Sequence, residues 1–145
     1  MTRLVGRVKK RVIFAWGTFD LLRARDIEYL KKARALGDSL VVGVYSDAVI
    51  APLYDTMRPI IPQKERMEVL SALTMVDRVI LLKNITPINE IKRIAPDVIG
   101  IWDVLDNKKL EAFVNRMDIP LIRIKLRARK STTDIIQKIK KSFVP

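Results

Sequence analysis

An α/β fold, with a five-stranded parallel sheet and helices on both faces, is what this sequence predicts, and three observations carry it. Five short apolar runs rich in β-branched residues are spaced along the chain at Val12–Trp16, Leu40–Tyr45, Arg78–Leu82, Val98–Trp102 and Leu121–Ile124. The stretches between them place apolar residues at helical spacing instead. At 145 residues the chain is long enough to bury one real core. Strands that alternate with helices pair in parallel, because each crossover returns the chain to the same end of the sheet. Such a sheet is buried on both faces.

Each element has a local reason. Ile27, Leu30, Ala33 and Ala35–Leu36 follow the first strand at helical spacing, and Gly37 stops that helix. Pro62 opens a helix carrying Met67, Leu70 and Leu73. Thr86-Pro87 reads as an N-cap with proline at the first helical position, ahead of Ile88, Ile91 and Ile94. Asp106 is placed to cap a helix carrying Leu110, Phe113 and Met117. Ser131-Thr132-Thr133-Asp134 opens the last helix close to a capping box. There Ile135, Ile139 and Phe143 read as the core-facing stripe, opposite Lys138, Lys140 and Lys141. The expected organisation is a basic arm over residues 1–10 and one Rossmann-like domain over 11–145. In such sheets ligands sit beyond the carboxyl ends of the strands, at a switch point.

The net charge is +12, and it is unevenly placed. Residues 1–35 carry +7, residues 36–106 carry −3 and residues 107–145 carry +8. Basic ends around an acidic middle point to a polyanionic partner, since each phosphate contacted releases counterions. There is no cysteine, which excludes disulfides and thiolate chemistry, and no histidine, the commonest general base and metal ligand. No apolar run approaches the ~18 residues of a membrane span. The expected location is the cytoplasm.

One stretch carries more than fold. Gly17-Thr18-Phe19-Asp20-Leu21-Leu22-Arg23-Ala24-Arg25-Asp26, directly after the first strand, resembles the first active-site loop of the cytidylyltransferase family. That loop reads Gly-Thr-Phe-Asp-x-x-His-x-Gly-His. Further blocks follow in the family's order: Leu36-Gly37-Asp38 with Val42-Gly43-Val44-Tyr45-Ser46-Asp47, then Arg58-Pro59, Pro62 with Glu65-Arg66, Val76-Asp77, Pro96-Asp97-Val98, Ile119-Pro120 and Ser131-Thr132-Thr133. The resemblance spans roughly residues 11–140 and implies a nucleotide site at the carboxyl ends of the strands. The residues it marks there are Gly17, Thr18, Phe19, Asp20, Arg23, Arg66, Ser131, Thr132 and Thr133. For Arg66 a structural ion pair is the competing reading, and for Ser131–Thr133 a plain helix cap.

The departures fall on ligand-handling positions. Arg23 and Asp26 replace the two histidines, and Arg25 replaces the glycine between them. A carboxylate at Asp26 sets like charge against a triphosphate, and any side chain at Arg25 crowds the ligand. The loop over residues 48–57 lacks the family's lysine. Trp102 stands where a glycine is usual, beside Asp103, and no glycine precedes Ser131. These losses imply no catalytic residue, no metal and no cofactor. They imply a degenerate enzyme scaffold recruited to structured RNA or a ribonucleoprotein such as the ribosome. Its contacts would be Arg3, Arg7, Lys9, Lys10, Arg11, Arg25, Arg127, Arg129, Lys130, Lys138, Lys140 and Lys141. The first alternative is a working nucleotidyltransferase, taking CTP or ATP with Mg²⁺ at Asp20 or Asp103 and a phosphorylated acceptor. The second is a nucleotide-sensing subunit without turnover. No membrane role is expected, and relatives of this family often form homodimers.

Overall fold

The computed structural model describes residues 8–54, 57–103, 106–127 and 130–143. The chain runs β1 (Val12–Gly17), α1 (Ala24–Arg34), β2 (Ser39–Tyr45) and a short α2 (Asp47–Ile50) that continues as a 3-10 turn over Ala51–Leu53. Then come α3 (Gln63–Ser71), β3 (Arg78–Leu82), α4 (Ile88–Ile94), β4 (Val98–Trp102), α5 (Lys108–Arg116), β5 (Leu121–Ile124) and α6 (Thr132–Phe143). The five strands form one parallel sheet in the order β3-β2-β1-β4-β5. The Rossmann-like α/β expectation holds, with each predicted strand in place.

Side chains alternate along the strands, so the core has two halves. Ile13, Ala15, Leu40, Val42 and Val98 pack with Tyr29, Leu30 and Ala33 of α1 and Leu70 of α3. Phe14, Trp16, Val41, Ile99 and Ile101 pack on the other face with Ile91 of α4 and Leu110, Phe113 and Val114 of α5. Carboxylates pin the amino ends of the strands. Asp97 accepts from the Val12 N–H at 2.8 Å, Asp38 from the Arg11 N–H at 2.8 Å, and Asp77 from the Leu40 N–H at 2.7 Å. A side chain at Gly37 would meet the Arg11 carbonyl oxygen at 2.7 Å, so glycine there permits the close return into β2.

Three local expectations are corrected. Thr86 does not cap α4: Pro87 takes that place, and the Thr86 hydroxyl accepts from Asn107 at 3.0 Å. Asn107, not Asp106, caps α5 through the Leu110 N–H at 3.0 Å. The stripe on α6 is not buried in the core: Ile139 is half-exposed and Phe143 is 81% exposed. By contrast, the α6 capping box forms as expected, with the Ser131 hydroxyl and Asp134 carboxylate exchanging bonds with each other's main-chain N–H.

Strands β1 and β4 pair only over Ile13–Ala15 and Val98–Gly100, then part. The Tyr29 hydroxyl fills the parting: it accepts from the Trp16 N–H at 3.3 Å and donates to the Gly100 carbonyl at 2.8 Å. Burial raises the pKa of this phenol well above its usual value. Tyr29→Phe leaves both main-chain groups unpaired in the core and lowers stability by about 1–3 kcal/mol. Urea unfolding should show this as a lower midpoint at unchanged slope.

Asp97 carries a pH prediction. Its carboxyl is held below the ordinary range, chiefly by the Val12 N–H and further by Lys9 at 3.3 Å. A depressed native value stabilises above the unfolded-state value near pH ~4 and loses that contribution as pH falls through the native value. Asp97→Asn should therefore flatten the acid limb of a stability-versus-pH curve below about pH 4.

Candidate functional site

The sheet order reverses between β1 and β4, so a crevice opens beyond their carboxyl ends. The β1–α1 loop, the end of β4 and the entry to α6 border it. The loop holds two residues in the left-handed region, Phe19 (φ 54°) and Leu21 (φ 51°). Strain of this kind, about 1–3 kcal/mol per residue, persists only where surrounding contacts over-determine it.

Those contacts come from residues that the sequence marked for ligand. Asp20 is 2% exposed, and its carboxylate accepts from the Ile60 and Ile61 N–H groups at 2.9 Å each. Arg58 lies 3.3 Å from the same carboxylate and over the Tyr54 ring. Arg66 is also 2% exposed; it donates to the Thr18 carbonyl at 2.6 Å, the Ile61 carbonyl at 2.9 Å and Asp47 at 2.7 Å. Phe19 is turned into the core beside Tyr29. Thr132 is buried and donates to the Asp20 carbonyl at 3.2 Å. Asp20, Phe19, Arg66 and Thr132 thus brace the loop from inside. The structural reading of Arg66 prevails because its three guanidinium nitrogens are all engaged.

Arg23 stands at the cap of α1, where its main-chain N–H donates to Asp26 at 2.8 Å. Its guanidinium reaches the same carboxylate at 3.2 and 3.3 Å and the Lys130 carbonyl at 3.3 Å. Asp26 therefore does not face the crevice as a bare charge: it caps the helix and is neutralised by Arg23. The Arg23–Lys130 and Thr132–Asp20 contacts draw the amino ends of α1 and α6 together. The Arg25 guanidinium lies over the Trp102 ring, its central carbon 3.8 Å from the centroid. The pKa of Arg25 is lowered, first by burial and then by the neighbouring Arg23 charge.

Of the remaining sequence candidates, Gly17 and Thr18 line the loop half-buried, Ser131 is occupied in its capping box, and Thr133 is exposed. Lys9, Lys10 and Arg11 lie at the amino end of β1, opposite the crevice, and Lys9 is paired with Asp97. Arg127 and Lys130 follow β5 on the crevice side, and Lys138, Lys140 and Lys141 are exposed on α6. Arg3, Arg7 and Arg129 lie outside the described residues. The basic groups are thus divided between two ends of the sheet. Among the described residues no three acidic side chains gather into a metal site, and both Asp20 oxygens already accept main-chain N–H groups. Sequence reasoning missed Asp47 and Arg58, because their brace role appears only once the 58–63 turn folds back onto β1. Asp20→Ala leaves the buried Arg58 uncompensated and lowers stability by about 3–5 kcal/mol, with a smaller loss for Asp20→Asn, read by chemical denaturation.

Comparison with known proteins agrees with this architecture. The chain is 37% identical over 140 residues to the bifunctional protein HldE of Geobacter sulfurreducens, and 42% identical over 132 residues to that of Campylobacter concisus. These alignments cover 92% and 91% of this chain but 28% of each relative, so the chain spans under a third of their length. The crystal structure of a lipopolysaccharide core biosynthesis protein from Thermoplasma volcanium GSS1 superposes with a TM-score of 0.72 at 29% identity, covering 83% of this chain and 100% of that one. No helix among the described residues is long and apolar enough to cross a membrane. The cytidylyltransferase-like family description matches residues 14–138, and over that share of the sequence the conclusion is plain: this chain belongs to the cytidylyltransferase-like family.

Proposed function

We propose that this chain binds a nucleoside triphosphate in the β1/β4 crevice and transfers its nucleotidyl group to a phosphorylated small molecule, releasing pyrophosphate. The observation that carries the reading is the meeting of the α1 and α6 amino ends, tied by Arg23 to Lys130, at a sheet switch point in a chain of this family. Main-chain N–H groups and guanidinium donors aimed at one place suit phosphate oxygens.

The reaction makes modest demands on the protein. An acceptor phosphate oxygen forms a bond to the α-phosphorus, and the bond from that phosphorus to the bridging oxygen breaks. The electron pair leaves on pyrophosphate. The attacking oxygen is already anionic, so the lack of histidine removes no obligatory base. What the site must supply is position and positive charge. Arg23 supplies charge, but Asp26 shares it, and slow turnover follows from that pairing. Asp20 already accepts the Ile60 and Ile61 N–H groups, so much of the charge neutralisation by the chain falls to its guanidinium groups.

The test is pyrophosphate release from CTP and from ATP, with Mg²⁺ in the buffer and a panel of sugar and polyol phosphates as acceptors. Acceptor-dependent release is expected, and the paired change Arg23→His with Asp26→His should raise the rate about tenfold or more.

A second reading has its own observation. Residues 107–145 carry +8, and Arg127, Lys130 and the exposed lysines of α6 lie on the crevice side or on α6. That distribution suits the backbone of a structured RNA. Absence of nucleotide binding and turnover, together with RNA affinity that falls steeply with salt and ignores CTP, would replace the first reading by this one.

A further inference from the structure

We infer that Arg25, held over the Trp102 indole, is the group that receives the ligand's phosphate in this crevice. The inference rests on the reading that a polyphosphate binds there, and it assigns the contact to residues that stand where the family pattern has glycines.

The argument begins with what Arg25 lacks. Neighbouring Arg23 is spent on Asp26 and on the Lys130 carbonyl. Arg66 is spent on three internal acceptors. Arg25 has one described contact, the Trp102 ring, and its guanidinium makes no hydrogen bond or ion pair among the described residues. Its N–H donors therefore remain available, among the described residues. The two carboxylates that act on it electrostatically are both occupied: Asp26 by Arg23, and Asp134 by the Ser131 N–H at 2.6 Å and hydroxyl at 2.8 Å. No partner within the described chain completes this cation.

Trp102 supplies the other half. It ends β4 at the carboxyl end of the sheet, two residues beyond the point where β1 and β4 part. An indole face holds a guanidinium by its quadrupole and leaves the fork of donors pointing outward. A planar fork held in one orientation matches two phosphate oxygens and loses little rotamer freedom on binding them. Lysine in place of Arg25 would keep the charge but lose both the stack and the fork.

The two tryptophans make this measurable. Trp16 is buried in the core and Trp102 is half-exposed, so a change in emission on ligand binding reports Trp102. The probe is inorganic tripolyphosphate, titrated into the whole chain at low salt, with calorimetry alongside fluorescence. A saturable emission change is expected. Arg25→Ala should weaken binding about tenfold or more, and Arg25→Lys and Trp102→Leu by several-fold, at unchanged thermal midpoint. Trp102→Phe keeps an aromatic face and should bind nearly as the parent does, by calorimetry. The same affinity in Arg25→Ala, or no binding of tripolyphosphate by the parent, overturns the inference. Arg25-dependent binding of tripolyphosphate without turnover of CTP or ATP upholds it while removing the transfer reading. Turnover by Arg25→Ala with parental KM and kcat does the reverse.

Discussion

The structure turns on the parting of β1 from β4. Parallel strands satisfy each other's main-chain groups only while they run side by side, and here that ends at Ala15 and Gly100. Beyond it the Trp16 N–H and the Gly100 carbonyl would be orphaned in the core, at a cost comparable to a lost hydrogen bond each. Tyr29, reaching in from α1, pairs both through one oxygen and keeps the strands apart. The crevice, the position of α1 and the approach of Trp102 to Arg25 all follow from that wedge.

Around the crevice, many residues that read as ligand contacts work on the protein itself. Asp20 and Arg66 fasten the β1–α1 loop to the 58–63 turn and to Asp47, and Gln63 and Asp47 exchange main-chain and side-chain bonds across the same junction. These bonds hold Phe19 and Leu21 at positive φ, a backbone course neither residue adopts unaided. A rigid, strained loop of this kind presents main-chain groups in fixed directions. Its motif residues shape that backbone through their own internal bonds.

The replacements at Arg23 and Asp26 compensate each other. Either alone would be awkward: a cation over a helix amino end, or a bare carboxylate beside a phosphate site. Together they form a half-buried ion pair that also caps α1, and the net charge at the old two-histidine position is near zero. Arg25, beside that pair, keeps its charge unpaired among the described residues and is held over Trp102. On α6, Ile139 and Phe143 stay exposed, and Ile135 and Ile139 line a groove of about 450 Å³ with Phe19, Leu22, Arg23 and Val69.

Much of the fold was legible in the sequence, because strand and helix periodicity is a local property and parallel pairing follows from the alternation of the two. Val12–Trp16 and Val98–Trp102 announce themselves as strands whatever they pack against. The Ser131–Asp134 box is equally local, since both partners lie within one turn. What tertiary structure decided was the use of each charged side chain. Whether Arg66 meets a ligand or Asp47, and whether Arg25 crowds the site or rests on Trp102, depend on groups brought together from up to about 80 residues away. The exposure of the α6 stripe was likewise invisible, because an amphipathic pattern records that a face is apolar and not what covers it. Sequence fixes which residues are apolar or charged and at what spacing; only the folded chain assigns their partners, and at this crevice the partners decide the chemistry.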